Sequence, residues 1–100
     1  MKVTLNKRRG VSPACMQIHI DQPRRELALG FIEDVLTKRG PIHNPDLRGI
    51  NHEVVDARHQ GRILVDFPDW ETEWPGSWDD LRIMACQIAD HLNLEAETER

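Results

Sequence analysis

The sequence predicts a single α+β domain with the element order ββαββα, in which an antiparallel sheet carries two helices packed on one face. Three observations support this prediction. The chain has 100 residues, which suffice for one hydrophobic core and are too few for two. Four short apolar segments occur as two pairs, and turn residues separate the members of each pair, as in hairpins. Two longer segments carry one apolar stripe at helical spacing, so each can cover only one face of a sheet. We expect the domain to span residues 1–94 and residues 95–100 to form a frayed, polar C-terminal tail.

The first predicted hairpin pairs Lys2–Asn6 with Cys15–Ile20. Apolar and polar residues alternate in both segments, which is typical of strands with one buried face. Gly10 and Pro13 indicate a turn between the two segments. The loop, residues 7–13, carries three basic residues.

The first predicted helix begins after Asp21, a suitable N-cap, and ends before Pro41. Pro23 fits the first turn and Gly40 the position after the last turn. Gly30 in the helix interior costs about 1 kcal/mol relative to alanine, and we interpret it as allowing close approach to the sheet. The apolar face of this helix consists of Ala28, Phe31, Ile32, Val35 and Leu36.

The second predicted hairpin follows a loop over residues 41–52. A strand over Val54–His59 turns at Gln60-Gly61 and returns over Arg62–Phe67. The returning strand is apolar on both faces, which indicates a central or helix-covered position.

The last predicted helix begins after Ser77, and Asp80 three residues later completes a capping box. Its apolar stripe is expected to be buried against the sheet. The stripe consists of Trp78, Leu81, Met84 or Ala85, Ile88 and Leu92.

The charges are unevenly distributed along the chain. Residues 1–62 carry eleven Lys and Arg against seven Asp and Glu, a net +4, whereas residues 63–100 carry two against ten, a net −8. Such asymmetry concerns partners and association more than fold. No apolar run approaches the length of a membrane span, and the N-terminus lacks the order of a secretory signal, so we predict a cytoplasmic protein. Cys15 and Cys86 are therefore expected to be buried thiols without a disulfide.

Metal binding and catalysis find little support in the sequence. His52-Glu53 resembles the start of a zincin motif, but Asp56 stands where the second histidine is required, and the strand pattern separates His52 from His59. His19 and His43 add donors without recognisable spacing. We predict no metal site and no cofactor.

Nuclease and nucleophilic chemistry are also unsupported. Asp69 and Glu71 could begin an acidic magnesium motif, but no lysine follows Lys38 to support an attacking water. Ser12 precedes a proline in a loop, and Ser77 is assigned as a helix cap. The sequence thus predicts a non-enzyme.

A tryptophan-acid segment, residues 69–80, contains all three tryptophans and five acids but no base. Trp78 is expected to anchor the last helix, whereas Trp70 and Trp74 either complete the core or form a recognition surface. An acidic surface with exposed tryptophan would bind a basic partner and could imitate a run of phosphates. The predicted partner-binding residues are Asp66, Asp69, Trp70, Glu71, Glu73, Trp74, Asp79 and Asp80.

A basic surface supports an alternative prediction, a small nucleic-acid-binding regulator. Basic residues of the first hairpin loop and of the first helix could contact phosphates. No aromatic residue accompanies them for base stacking, and the net charge of the chain is −4. The residues concerned are Lys7, Arg8, Arg9, Arg24 and Arg25.

In size, acidity and lack of catalytic groups, the chain resembles the small phage-borne anti-CRISPR inhibitor proteins. The resemblance is one of class and assigns no residue roles. It implies a location in the host cytoplasm and a partner with a basic nucleic-acid-binding groove, such as a CRISPR surveillance complex. The predicted function is therefore inhibition by steric block or charge competition, without catalysis.

Overall fold

The computed structural model describes residues 1–7, 14–38, 40, 44, 47–68, 70 and 77–98. Five strands and two α-helices form within these ranges. They are β1 (Lys2–Lys7), β2 (Ala14–His19), α1 (Arg25–Glu33), β3 (Glu53–Ala57), β4 (Arg62–Phe67), α2 (Trp78–Leu92) and β5 (Glu95–Thr98). A 3₁₀ turn, Gln22–Arg24, leads into α1, and a π-helical turn, Asp34–Lys38, extends it.

The five strands form one mixed sheet in the order β3-β4-β2-β1-β5. β1, β2, β4 and β3 pair antiparallel with their neighbours, and β5 pairs parallel to β1. The prediction of a purely antiparallel sheet is therefore wrong. The predicted order ββαββα is incomplete, because a fifth strand follows α2.

β5 occupies part of the segment that the sequence predicted as a polar tail. Its residues, Glu95–Thr98, carry two acids and only one apolar side chain, so no hydrophobic alternation identifies it. Asn93, in the left-handed conformation at φ 56°, ends α2 and turns the chain back toward β1. The position of α2 on the sheet thus brings a polar segment to the β1 edge.

One face of the sheet packs against the helices. Leu5, Met16 and Val65 lie in register across β1, β2 and β4, and all three are buried. These residues form a single cluster with Ile32, Leu36, Leu81 and Ile88 of the helical segments. β4 lies between β2 and β3, which confirms the central position predicted from its apolar residues.

The first helix agrees with its predicted face at Ala28, Ile32, Val35 and Leu36, which are buried. Phe31 is only half-buried, and its ring stacks on that of His91 at 3.7 Å.

Asp21, Gly40 and Gly30 were each predicted to have a role in the first helix. Asp21 forms no side-chain cap, and its Oδ1 accepts a hydrogen bond from Arg24 instead. Gly40 adopts φ 77°, as expected after a helix end. Gly30 is exposed, and no described atom outside its chain neighbours and the α1 backbone lies within 4 Å of the position that a Cβ would take, so it allows no close approach to the sheet.

The last helix begins as predicted. The Ser77 backbone N–H donates to Asp80 Oδ2 at 2.7 Å, which is one half of the expected capping box. Leu81, Met84, Ala85, Ile88 and Leu92 are buried, and Trp78 packs against the core while partly exposed.

The two cysteines differ. Neither forms a disulfide, but Cys15 is buried in β2 whereas Cys86 is exposed on α2. The prediction that Cys86 is buried is wrong, because it lies on the solvent side of a helix whose opposite stripe meets the sheet. Neither helix in the described ranges is long and apolar enough to cross a membrane.

Candidate functional site

The sheet face opposite α1 and α2, here called the open face, is the setting of the candidate site. Side chains alternate along a strand, so residues paired in register share a face. Two rows of the open face carry most of its polar groups. One row consists of Glu95, Lys2, His19, Arg62 and Ala57, and the other of Asn6, Cys15, Asp66 and Glu53. Of these residues, Cys15 and Ala57 are buried.

Two acids stand directly opposite each other in the second row. Glu53 of β3 pairs in register with Asp66 of β4. Asp66 Oδ1 is buried and has no hydrogen-bond partner among the described residues. Directly opposed like charges destabilise a sheet, and an unpaired buried carboxylate oxygen adds to the cost. We call Glu53 and Asp66 the acidic pair.

No cation of the described residues neutralises the acidic pair. The ion pairs in this part of the chain involve other carboxylates, those of Asp21, Asp56, Asp79 and Glu97. The acidic pair is thus a site of negative charge, at one end of the open face, that no described cation compensates.

The other end of the open face carries Lys2, His19 and Arg62 together with Glu95 and Glu97 of β5. Lys2 Nζ lies 3.1 Å from Glu97 Oε2, and Arg62 Nη1 donates to Gln17 Oε1 at 2.9 Å. His19 lies between Lys2 and Arg62 in register. Burial lowers the pKa of His19, and the neighbouring charges of Arg62 and Lys2 lower it further. Bases and acids therefore lie together at this end of the strands, whereas the acidic pair lies at the other.

Two of the three tryptophans lie where β4 leads into α2. The rings of Trp70 and Trp78 meet edge to face, with centroids 5.2 Å apart. Both side chains are partly buried and pack against the core cluster. Trp70 therefore extends the core, which agrees with the first of the two interpretations left open by the sequence. Trp74 lies outside the described residues.

The remaining predicted partner-binding acids fall into two groups. Asp79 is exposed and pairs with Arg82 Nη1 at 2.6 Å, and Asp80 caps α2. Asp69, Glu71 and Glu73 lie outside the described residues. Of the predicted acids that the structure describes, Asp66 is thus the one placed on the open face.

The alternative basic surface is largely absent from the described residues. Arg24 donates to Asp21 and to the Leu92 carbonyl. The prediction that Arg25 contacts phosphates is wrong, because Arg25 is 1% exposed and its Nη1 lies 2.6 Å from Asp56 Oδ1. Lys7 ends β1, and its side chain, Arg8 and Arg9 lie outside the described residues.

Histidines and acids within the described ranges form no group of three that could hold a metal ion. Asp56 is engaged by Arg25 and Arg58, and His52 Nδ1 lies 2.7 Å from the Ile50 carbonyl. His43 is outside the described residues.

Sequence reasoning missed Glu53 as a site residue. Glu53 was considered only as part of a failed zinc motif, because its pairing partner is 13 residues away. A signal was nevertheless present. Counting back from the predicted Gln-Gly turn places Glu53 close to Asp66 across the hairpin.

Comparison with known proteins found no match of this chain to a family model, a curated protein or a solved structure.

Proposed function

We propose that this chain is a non-enzymatic inhibitor that binds a basic protein partner through acidic surface and so blocks that partner's nucleic-acid-binding site. A CRISPR surveillance complex is a partner of the required chemistry. The observation that carries the proposal is the acidic pair, in which Asp66 lies opposite Glu53 and its buried Oδ1 has no hydrogen-bond partner within the described part of the chain.

The acidic pair supports a cationic ligand for an energetic reason. Opposed carboxylates raise the free energy of the free protein, and a guanidinium or ammonium group placed between them removes that repulsion. Hydrogen bonds to charged groups contribute about 1.5–3 kcal/mol each, and more where water is excluded. An arginine is the best-suited group, because its fork can donate to both carboxylates at once.

The wider charge distribution favours the same partner. Residues 63–100 carry a net −8, and Asp79, which belongs to this segment, is strongly exposed. A negative electrostatic field raises the rate of association with a positively charged groove, and this effect weakens with added salt.

The alternative, direct nucleic-acid binding, has weaker support. Arg25 is buried, Arg24 is engaged within the fold, and the described open-face residues include no Phe, Tyr or Trp on which a base could stack. A gel-shift titration at low salt tests it. Binding of DNA or RNA that Arg8→Ala and Arg9→Ala abolish would favour this alternative over the proposal.

Affinity capture from the native host tests the proposal. Wild-type bait is compared with bait carrying Glu53→Gln and Asp66→Asn, and with a matched control carrying Glu26→Gln and Asp90→Asn, which removes the same charge from exposed helix positions. We expect the wild type and the control to capture the same basic nucleic-acid-binding protein, and added nucleic acid to compete. The acidic-pair variant should bind roughly 10- to 100-fold more weakly.

A second bait extends the test to the tryptophan-acid segment. Asp69→Lys, Glu71→Lys, Glu73→Lys and Asp79→Lys together should abolish capture while the far-UV circular dichroism stays unchanged. Equal capture by all baits, or a captured partner without a basic nucleic-acid-binding surface, would contradict the proposal.

A further inference from the structure

The outer edge of β3 is the most exposed apolar part of the sheet. β3 forms one end of the strand order and pairs with β4 alone among the described strands. Val54 is 39% exposed and Val55 41% exposed, on opposite faces of the strand. The outward N–H and C=O groups of an edge strand are a template for another strand.

The opposite edge of the sheet is built differently. β5 presents Glu95 and Glu97 and has Ala96 as its only apolar residue, and Glu97 is paired with Lys2. Charged edge residues of this kind discourage strand addition. β3 instead carries two valines near the centre of the strand. The β3 edge therefore favours the addition of a strand, and the β5 edge does not.

A groove follows the β3 edge on the helix side. It has a volume of about 280 Å³ and lies between α1 and β3, lined by Leu29, Gly30, Glu33, His52 and Val54. Gly30 leaves its side of the groove open, because no other atom lies within 4 Å of its Cβ position. A side chain projecting from an added strand toward α1 would enter this groove.

The charges around the β3 edge favour a pairing strand that carries a basic residue. Glu53, at the start of β3, is exposed and belongs to the acidic pair, and Glu33 lines the groove. Asp56, near the other end of β3, is already paired with Arg25 and Arg58. The unsatisfied negative charge of β3 therefore lies at its first residue.

We propose that β3 accepts an extended segment of the partner as a sixth, antiparallel strand. This inference rests on the proposed function and specifies how the partner docks. Residues directly opposite each other in an antiparallel pair share a face and lie about 5 Å apart at Cβ. A Lys or Arg of the added strand lies opposite Glu53, and apolar residues lie opposite Val54 and Val55. Read from its N-terminus, the added strand carries the pattern apolar-apolar-basic.

The two apolar positions have different surroundings. The residue opposite Val54 points to the helix side and fills the groove beside Leu29. The residue opposite Val55 lies on the open face beside Leu64, the register partner of Val55 in β4. The basic residue shares the open face with Glu53 and Asp66, so it supplies the cation that the acidic pair lacks.

A peptide titration of the full chain tests this inference. The probe is a ten-residue synthetic peptide with Val-Val-Lys at its centre and Ser, Thr and Gly elsewhere, added to ¹⁵N-labelled protein. Two control peptides carry Glu in place of Lys, or N-methyl groups on the two valines. We expect amide shifts over residues 53–57 and around Leu29 and Glu33 with the probe. Each control should bind about tenfold more weakly, because it loses a charge contact or a backbone hydrogen bond.

Protein variants locate the contact. Val55→Lys should weaken probe binding, whereas Ile83→Lys on α2 should leave it unchanged, since Ile83 has a similar exposure of 43%. Amide dispersion reports whether each variant is folded. Glu53→Gln should reduce the preference for the Lys peptide over the Glu peptide.

Three outcomes would overturn the inference. They are the absence of shifts in β3, shifts that N-methylation does not affect, and a concentration-dependent dimer that Val55→Lys dissociates, which would make a second copy the occupant. Host capture with the Val55→Lys bait separates this inference from the proposed function. If that bait captures the partner normally while the acidic-pair bait does not, strand addition fails and the proposed function stands. If the acidic-pair bait also captures normally, the proposed function fails.

Discussion

Arg25 brings a charged side chain into the core beneath the β3–β4 hairpin. It is 1% exposed, and its guanidinium donates to Asp56 Oδ1 at 2.6 Å and to the Arg62 carbonyl at 3.0 Å. Arg25 Nε is buried and has no hydrogen-bond partner in the ranges that the structure describes, so the charge is incompletely compensated there. In such a pair, removing one member costs more than removing both.

A double-mutant cycle checks this expectation. We predict that Asp56→Ala lowers the free energy of unfolding by about 2–3 kcal/mol, toward the lower end for a buried pair because Asp56 is partly exposed. The double variant Arg25→Met, Asp56→Ala should be more stable than the sum of the single effects implies. Denaturant titrations give the four values, and strict additivity would contradict a coupled pair.

His19 makes stability depend on pH. Its pKa is lowered from an ordinary 6.5 by burial first, and then by Arg62, Lys2 and the N-terminal amine, against a smaller opposing effect of Glu97. Below the unfolded-state pKa the unfolded chain binds the proton more readily than the folded chain. Stability is therefore fully present above about pH 6.5 and falls as the pH drops through the window between the unfolded and the lower folded pKa.

The variant His19→Gln isolates this effect. We predict that the wild type loses more unfolding free energy than His19→Gln between about pH 7.5 and about pH 5.5. Urea titrations at several pH values measure the difference, and the other histidines are common to both proteins. Parallel curves for the two proteins would contradict the prediction.

At the scale of elements, α1 contains a glycine that packing does not require. Apart from its chain neighbours and the helix backbone, no described atom lies within 4 Å of the Cβ position at Gly30, and the helix interior favours alanine. We predict that Gly30→Ala raises the free energy of unfolding by roughly 0.5–1 kcal/mol. Thermal and chemical unfolding measure the gain.

Gly49 supplies the matched control for Gly30. Its Cβ position is equally open, but its φ is 78°, which side chains rarely adopt. Gly49→Ala should therefore destabilise the protein by about 1–2 kcal/mol. If both substitutions changed the free energy of unfolding in the same direction, free space and not backbone conformation would decide the effect of an added Cβ.

Helices and central strands are the elements that the sequence predicts well. The buried positions of α2 follow its 3.6-residue period, and the apolar residues of β4 correctly indicate a central strand. β5 could not be predicted in this way, because its pairing with β1 depends on backbone hydrogen bonds and on where α2 delivers the chain. Edge strands bury little, so their sequences carry little periodicity.

At the scale of the whole molecule, the two ends of the open face differ in how their charges are compensated. Lys2, His19 and Arg62 lie at one end with Glu95 and Glu97, and the acidic pair lies at the other. The acidic pair should reduce stability in the free protein, as functional sites often do.

We predict that Asp66→Asn raises the free energy of unfolding by about 0.5–1 kcal/mol, because it removes the opposition to Glu53. Asp79→Asn, which removes an acid that pairs with Arg82 in the first turn of α2, should lower it by a few tenths of a kcal/mol. Denaturant titrations of both variants provide the comparison. A loss of stability in Asp66→Asn would contradict the interpretation of the acidic pair as a strained site.

The candidate site was only partly predictable. Asp66 was identified from the accumulation of acids in the C-terminal half, whereas Glu53 and the β3 edge emerged from strand pairing. Arg25 shows the converse error, since a base at the start of a helix was expected at the surface and is buried by the hairpin packed against it.

The sequence by itself determined the α+β class, the two helices with their buried stripes and the first four strands, because apolar periodicity is a local property that each segment carries alone. Only the tertiary structure decided the parallel fifth strand, the burial of Arg25 and the opposition of Glu53 and Asp66. These features depend on which distant segments become neighbours. They cannot be predicted from any one segment, since strand register and sheet order are set by the packing of the whole chain.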